Sequence, residues 1–92
     1  MSETKIISIT IKNMKIEDDK FIIESDNESY YTNIEKGSIK CTIFSSENKI
    51  MPLSYLENGD LIKLKVKDNI INKIYVKLKY IILSESSEDY IS

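Results

Sequence analysis

Three observations predict an all-β fold for this chain, a small barrel of five strands with one short helical turn between the third and the fourth. Its apolar set is β-branched and aromatic, with 18 isoleucines and 6 tyrosines among 92 residues and no tryptophan. Such side chains fit a pleated, half-buried surface. Apolar residues also recur at every second position along several runs, the period of a strand with one face in the core and the other in water. Helix signals, finally, are confined to residues 50–59. A chain of this length buries a modest core but leaves no room for a separate catalytic domain. Residues 1–83 are expected to form that one domain, and residues 84–92, "SESSEDYIS", an acidic polar tail outside the core.

The first strand is predicted in residues 5–16, where Ile7, Ile9 and Ile11 share one face and Ser8, Thr10 and Lys12 the other. The like charges of "EDDK" in residues 17–20 mark a turn, and "FIIES" resumes an extended run, which makes a hairpin. A second turn signal, "DNES", precedes "YYTNIEKG", read as a loop or a short strand. From Gly37 the alternation is again regular. Ile39, Cys41 and Ile43 face one side, Ser38, Lys40, Thr42 and Phe44 the other.

In "IMPLSYLENG" Pro52 suits a first helical position, Leu53 and Leu56 lie three apart, and Gly59 can end the turn in a left-handed conformation. The competing reading makes Asn58-Gly59 a tight hairpin turn. The last two strands are the most patterned. Ile62, Leu64 and Val66 oppose Lys63, Lys65 and Lys67 in residues 60–68; Ile74, Val76, Leu78 and Tyr80 oppose Tyr75, Lys77, Lys79 and Ile81 in residues 72–83. Joined by "DNIIN", they form an expected hairpin with lysines outside. The predicted core is Ile7, Ile9, Ile11, Ile39, Cys41, Ile43, Leu56, Ile62, Leu64, Val66, Ile74, Val76 and Leu78.

Charge is divided more sharply than the net −2 suggests. Residues 1–35 carry −4, residues 36–83 carry +5 and residues 84–92 carry −3. A basic body attracts phosphates, and acidic flanks cover it, repel polyanions or recruit a second partner. All 13 basic residues are lysine. Together with abundant Ile and Asn, that bias matches an AT-rich genome, as in large DNA viruses, some protists and some bacteria.

Other classes are poorly served. With one cysteine and no histidine, an intrachain disulfide is impossible and a conventional zinc site lacks its usual ligands. The missing histidine also removes a Ser-His-Asp set, and two isolated glycines make no phosphate loop. Asp18 and Asp19 are adjacent carboxylates in a polar turn, with no apolar pocket to separate their pKa values. No enzyme and no cofactor is expected. The start shows no leader pattern, and no run of 18 apolar residues occurs. The expected setting is intracellular, cytoplasmic or nuclear, and the "NES" at Asn27 is read as incidental rather than as a glycosylation acceptor.

The order of elements, and the local run "GSIKCTIF…LSYLENGDLIKLKVK…KIYVKLKYI", resembles the OB-fold domains of single-strand DNA-binding and replication protein A-like proteins. A glycine opens strand three, and a leucine-bearing turn passes through Gly59-Asp60 into strand four. The likeness covers residues 37–83 by pattern and the first half by strand count; an SH3-like barrel is the alternative. It implies a ligand surface on strands two and three and on the loops joining strands one to two and four to five. There Phe21, Tyr30, Tyr31 and Phe44 would stack on bases and Lys40 would supply charge. "EDD" in the first of those loops departs from the pattern, because it repels a phosphate backbone.

Two functions follow as expectations. The first is a non-catalytic module binding single-stranded nucleic acid, through Lys40, Phe44, Lys63, Lys65, Lys67, Tyr75, Lys77, Lys79, Tyr30 and Tyr31. The alternative is a protein partner or a homodimer, since strands pair edge to edge. Alternating lysines also make a solvated, aggregation-resistant outside for a hairpin, so the pattern serves structure before it serves any ligand.

Overall fold

The structure is a computed structural model, and it describes residues 3–79. Nine strands and one short helical turn occur in this part: β1 (Lys5–Thr10), β2 (Asn13–Glu17), β3 (Lys20–Glu24), β4 (Ser29–Glu35), β5 (Ser38–Ile39), β6 (Thr42–Phe44), β7 (Ile50–Met51), a 3-10 turn (Leu53–Tyr55), β8 (Leu61–Lys67) and β9 (Ile70–Leu78). The all-β class is as predicted, while nine short strands stand where five were expected. "YYTNIEKG", whose sequence allows either a loop or a short strand, lies largely in β4.

One curled sheet runs in the order β1-β8-β9-β4-β3-β2, with β5 on β4, and β6 pairing with β7 and β9. Its two outermost strands, β1 and β2, are consecutive in the chain. Between them the backbone changes partner: Ile11 donates its N–H to the Asp60 carbonyl (3.0 Å), whereas Lys12 donates to the Glu24 carbonyl (2.8 Å). The sheet therefore curls until its ends meet at a bend of one segment. It forms a half-barrel rather than a closed barrel of five strands.

Three two-residue turns set the registers. Asp18-Asp19, Lys36-Gly37 and Asp68-Asn69 all have positive φ, from 52° to 80°, between the paired residues Glu17 and Lys20, Glu35 and Ser38, and Lys67 and Ile70. Positive φ at both central positions is the hairpin turn whose twist matches that of the strands, and Asp and Asn tolerate it better than most residues. Hence the β8–β9 connection is Asp68-Asn69 alone. Ile70 and Ile71, expected in the loop, belong to β9.

The core centres on Ile11, Ile23, Ile43, Ile62, Leu64, Ile71, Ile74 and Val76, none more than 1% exposed. Phe21, Tyr30, Leu56 and Val66 complete it, with Ile7, Ile9, Ile39 and Cys41 packed at its margin. Leu78 departs from expectation and is 62% exposed. The cause is a bulge. Ile62 pairs with Val76 but Leu61 with Leu78, so Lys77 is an extra residue, and an extra residue reverses the alternation beyond it. Leu78 turns out and Lys79 turns in.

Lys79 meets Asp60, which is fully buried. Its ammonium donates to Asp60 Oδ2 at 2.6 Å and to the Tyr55 carbonyl, lies 3.2 Å from Glu57 Oε1, and sits 4.4 Å from the centre of the Tyr55 ring. Asp60 Oδ2 also accepts the Glu57 N–H at 2.9 Å. A buried carboxylate is tolerated only when paired and hydrogen-bonded, and this knot ties the 3-10 turn to the end of β9. Tyr80, Ile81 and the acidic tail lie outside the described residues.

Candidate nucleic-acid interface

The outer face of β8, β9 and β6 gathers the largest share of the expected binding residues. Lys63 of β8 is opposite Ser8 of β1 and Tyr75 of β9, and Tyr75 is opposite Phe44 of β6, which faces Ile50 of β7. One row of side chains thus crosses five strands. The Phe44 and Tyr75 rings are stacked, their centres 5.2 Å apart and their planes 13° from parallel. The neighbouring row runs Ile6, Lys65, Lys73, Thr42.

Lys63, Lys65, Lys73 and Lys77 make no ion pair among the described residues. Charges of one sign on adjacent strands repel, and among the described residues no carboxylate pairs with these lysines, which stand beside two half-buried aromatic rings. Ile50 is 74% exposed and Ile6 66%, apolar ends to the two rows. Lys73, Ile6 and Ile50 were not foreseen as part of this surface. The Asp68-Asn69 turn by itself would set Lys65 opposite Asn72; the register shift between Lys65 and Val66 makes Asn72 an extra residue and brings Lys73 opposite Lys65.

The remaining expected residues lie elsewhere. Lys67 pairs with Ile70, which pairs with Tyr31, which pairs with Ile22, so Lys67 and Tyr31 share a different row. Tyr31 carries the Lys20 ammonium 4.9 Å from its ring centre. Lys40 follows β5 and is paired with Glu35 at 3.5 Å. Lys79 belongs to the Asp60 knot.

Two of the rings expected to stack on bases are core residues. Phe21 is 4% exposed and Tyr30 7%. The Tyr30 hydroxyl donates to Glu28 at 2.5 Å, and burial, helped by that carboxylate, pushes its phenol up to about 12. Cys41 is half-buried, and burial pushes its thiol up to about 11 against the opposing pull of the Thr32 hydroxyl. At neutral pH it is a packing residue rather than a nucleophile. Among the described residues no three Asp, Glu, Cys or His side chains are placed to hold a metal, and no helix is long and apolar enough to cross a membrane.

Comparison with protein families, with characterised proteins and with solved structures gives no match to this chain.

Proposed function

We propose that the protein is a non-catalytic binding module for single-stranded nucleic acid, engaging it on the β8–β9–β6 face. The observation that carries this reading is the Phe44–Tyr75 ring pair set beside Lys63, with Lys65 and Lys73 in the next row and none of the three lysines ion-paired among the described residues. Bases stack on exposed ring faces, each worth about 1–3 kcal/mol, while lysines follow the phosphates.

The finer fold reading belongs to the same proposal. If β1 and β2 are one strand bent at Ile11 and Lys12, then β3, β4, β8 and β9 bring the number to five, with the 3-10 turn between the third and the fourth. That order is similar to the OB-fold domains of single-strand DNA-binding and replication protein A-like proteins. The surface is shifted, however. The turns corresponding to the usual ligand loops carry Asp18, Asp19 and Asp68, carboxylates that repel phosphate, so the nucleic-acid strand lies on the lysine rows instead.

Fluorescence anisotropy of labelled oligothymidylate and oligouridylate, titrated at low and rising salt, tests the reading. Phe44→Leu and Tyr75→Leu, each checked for native circular dichroism, should weaken binding about tenfold, the equivalent of 1.4 kcal/mol. No binding at low salt to either oligonucleotide would end it. A second reading, a protein partner or a second copy, is favoured by Ile6, Ile50, Leu61 and Leu78, all exposed. A dimeric mass in sedimentation, lost when Ile50 and Leu78 become serine, would support that reading instead.

A further inference from the structure

The edge of β1 away from β8 borders a groove. β1 pairs with β8 on one side, and among the described residues no strand pairs with it on the other. Ile11 exchanges hydrogen bonds with the β8 side, donating to Asp60 and accepting from the Gly59 N–H at 2.7 Å. Bonding residues alternate along an antiparallel pair. Ile9, Ile7 and Lys5 therefore face β8, which leaves the N–H and C=O groups of Ile6, Ser8 and Thr10 directed at the open edge. Beside that edge lies a cleft of about 500 Å³ between β1, the start of β4 and the β8–β9 turn, lined by Glu3, Lys5, Ile7, Glu28, Tyr30 and Val66 among others. A smaller cleft lies along Ser8, Ile9 and Thr10, against Ser25, Asp26 and Asn27.

Both parts are what an added strand needs. Main-chain groups give affinity, and pockets for alternate side chains give specificity. The floor of the larger cleft is apolar at Ile7, Tyr30 and Val66. Among the described residues its rim carries the carboxylates of Glu3, Glu28 and Asp68 and the ammonium of Lys5, and Asp26, paired with Lys12 at 3.6 Å, stands in the smaller one. We infer that the β1 edge docks an extended peptide of a partner protein, one with an apolar side chain for the floor and a lysine or arginine two residues away for the acidic rim. This site is distinct from the lysine-bearing face, which has the opposite sign.

The test uses a capped, fluorescent hexapeptide with threonine at odd positions and arginine, leucine and arginine at even ones, and a counterpart with glutamate for arginine. Saturable binding of the basic peptide with Kd below about 1 mM, slowed hydrogen exchange at the Ile6, Ser8 and Thr10 amides, and no binding of the acidic one are expected. Ser8→Pro removes an outward N–H, a change that edge strands accept, and should weaken the basic peptide at least about tenfold, or 1.4 kcal/mol. Should that variant not fold, Glu3→Lys decides, with at least a fivefold loss expected. Unchanged affinity in the folded variants overturns the inference, as does equal binding of the two peptides. Amides of Ile6, Ser8 and Thr10 already protected without peptide overturn it too, because the edge is then filled by the chain itself or, where the mass is dimeric, by a second copy.

Discussion

Replacing Lys79 by methionine isolates the knot that ends β9. Asp60 is fully buried, and the Lys79 side chain is 24% exposed. Breaking such a pair by removing one partner costs about 3–5 kcal/mol when both members are buried. Lys79 keeps part of its hydration and Asp60 retains the Glu57 N–H, so the expected loss is about 2–3 kcal/mol. In a domain of this size each kcal/mol moves Tm by about 4–8 °C, which places the variant roughly 10–20 °C below wild type.

Urea and thermal unfolding followed by circular dichroism measure both quantities, and Asp60→Asn with the double variant closes a cycle. A coupling of at least about 1 kcal/mol is expected, since the two groups share one hydrogen bond. The pH dependence has a definite sign. Burial opposes the Lys79 ammonium, but hydrogen bonds to Asp60 and Glu57 outweigh it and hold the group above its ordinary value of 10.5. The stabilisation is thus complete below the unfolded value and fades as pH rises through the folded one. A Lys79→Met protein within about 0.5 kcal/mol of wild type, or an additive double variant, refutes the reasoning.

Four further outcomes are expected. Lys63→Gln with Lys65→Gln should flatten the slope of log affinity for oligothymidylate on log salt by about 0.7 for each phosphate that the protein no longer neutralises, read by anisotropy. Lys36→Asn, which gives the turn before β5 an Asn-Gly pair at positive φ, should stabilise the fold by about 0.5–1 kcal/mol in urea denaturation. Cys41 should react slowly with a disulfide reagent at pH 8. Alkaline titration should also destabilise the protein as Cys41 and Tyr30 pass from their ordinary 9.0 and 10.0 toward about 11 and about 12, because the fold holds protons that the unfolded chain sheds.

The alternation was legible where each buried residue sits two positions from the next, from Ile62 to Val66 in β8 and from Ile74 to Val76 in β9. It was not legible at the two extra residues of β9, Asn72 and Lys77. A bulge is fixed by the mismatch between facing strands, which no local pattern announces, and so Leu78 and Lys79 exchange their expected sides. Phe21 and Tyr30 were assigned to ligand stacking by the family likeness, yet period two along β3 and β4 puts them with Ile23 and Thr32 on the inner face. The lysine surface was legible as a set of residues but not as a map, since Lys67 and Tyr31 share one row while Lys63 and Tyr75 share another. That division depends on the Asp68-Asn69 turn and the parallel pairing of β4 and β6 with β9, contacts between segments far apart in the chain.

The bend at Ile11 and Lys12 also shapes how the chain folds as it is made. β2, β3 and β4 are neighbours in sequence and can zip up as soon as they appear, but the partner of β1 is synthesised more than fifty residues later, with Lys5 facing Val66. At about 5–20 residues per second that is a wait of roughly 3–12 s. For that interval the first segment is half a strand, committed at its C-terminal end and unclaimed at the other.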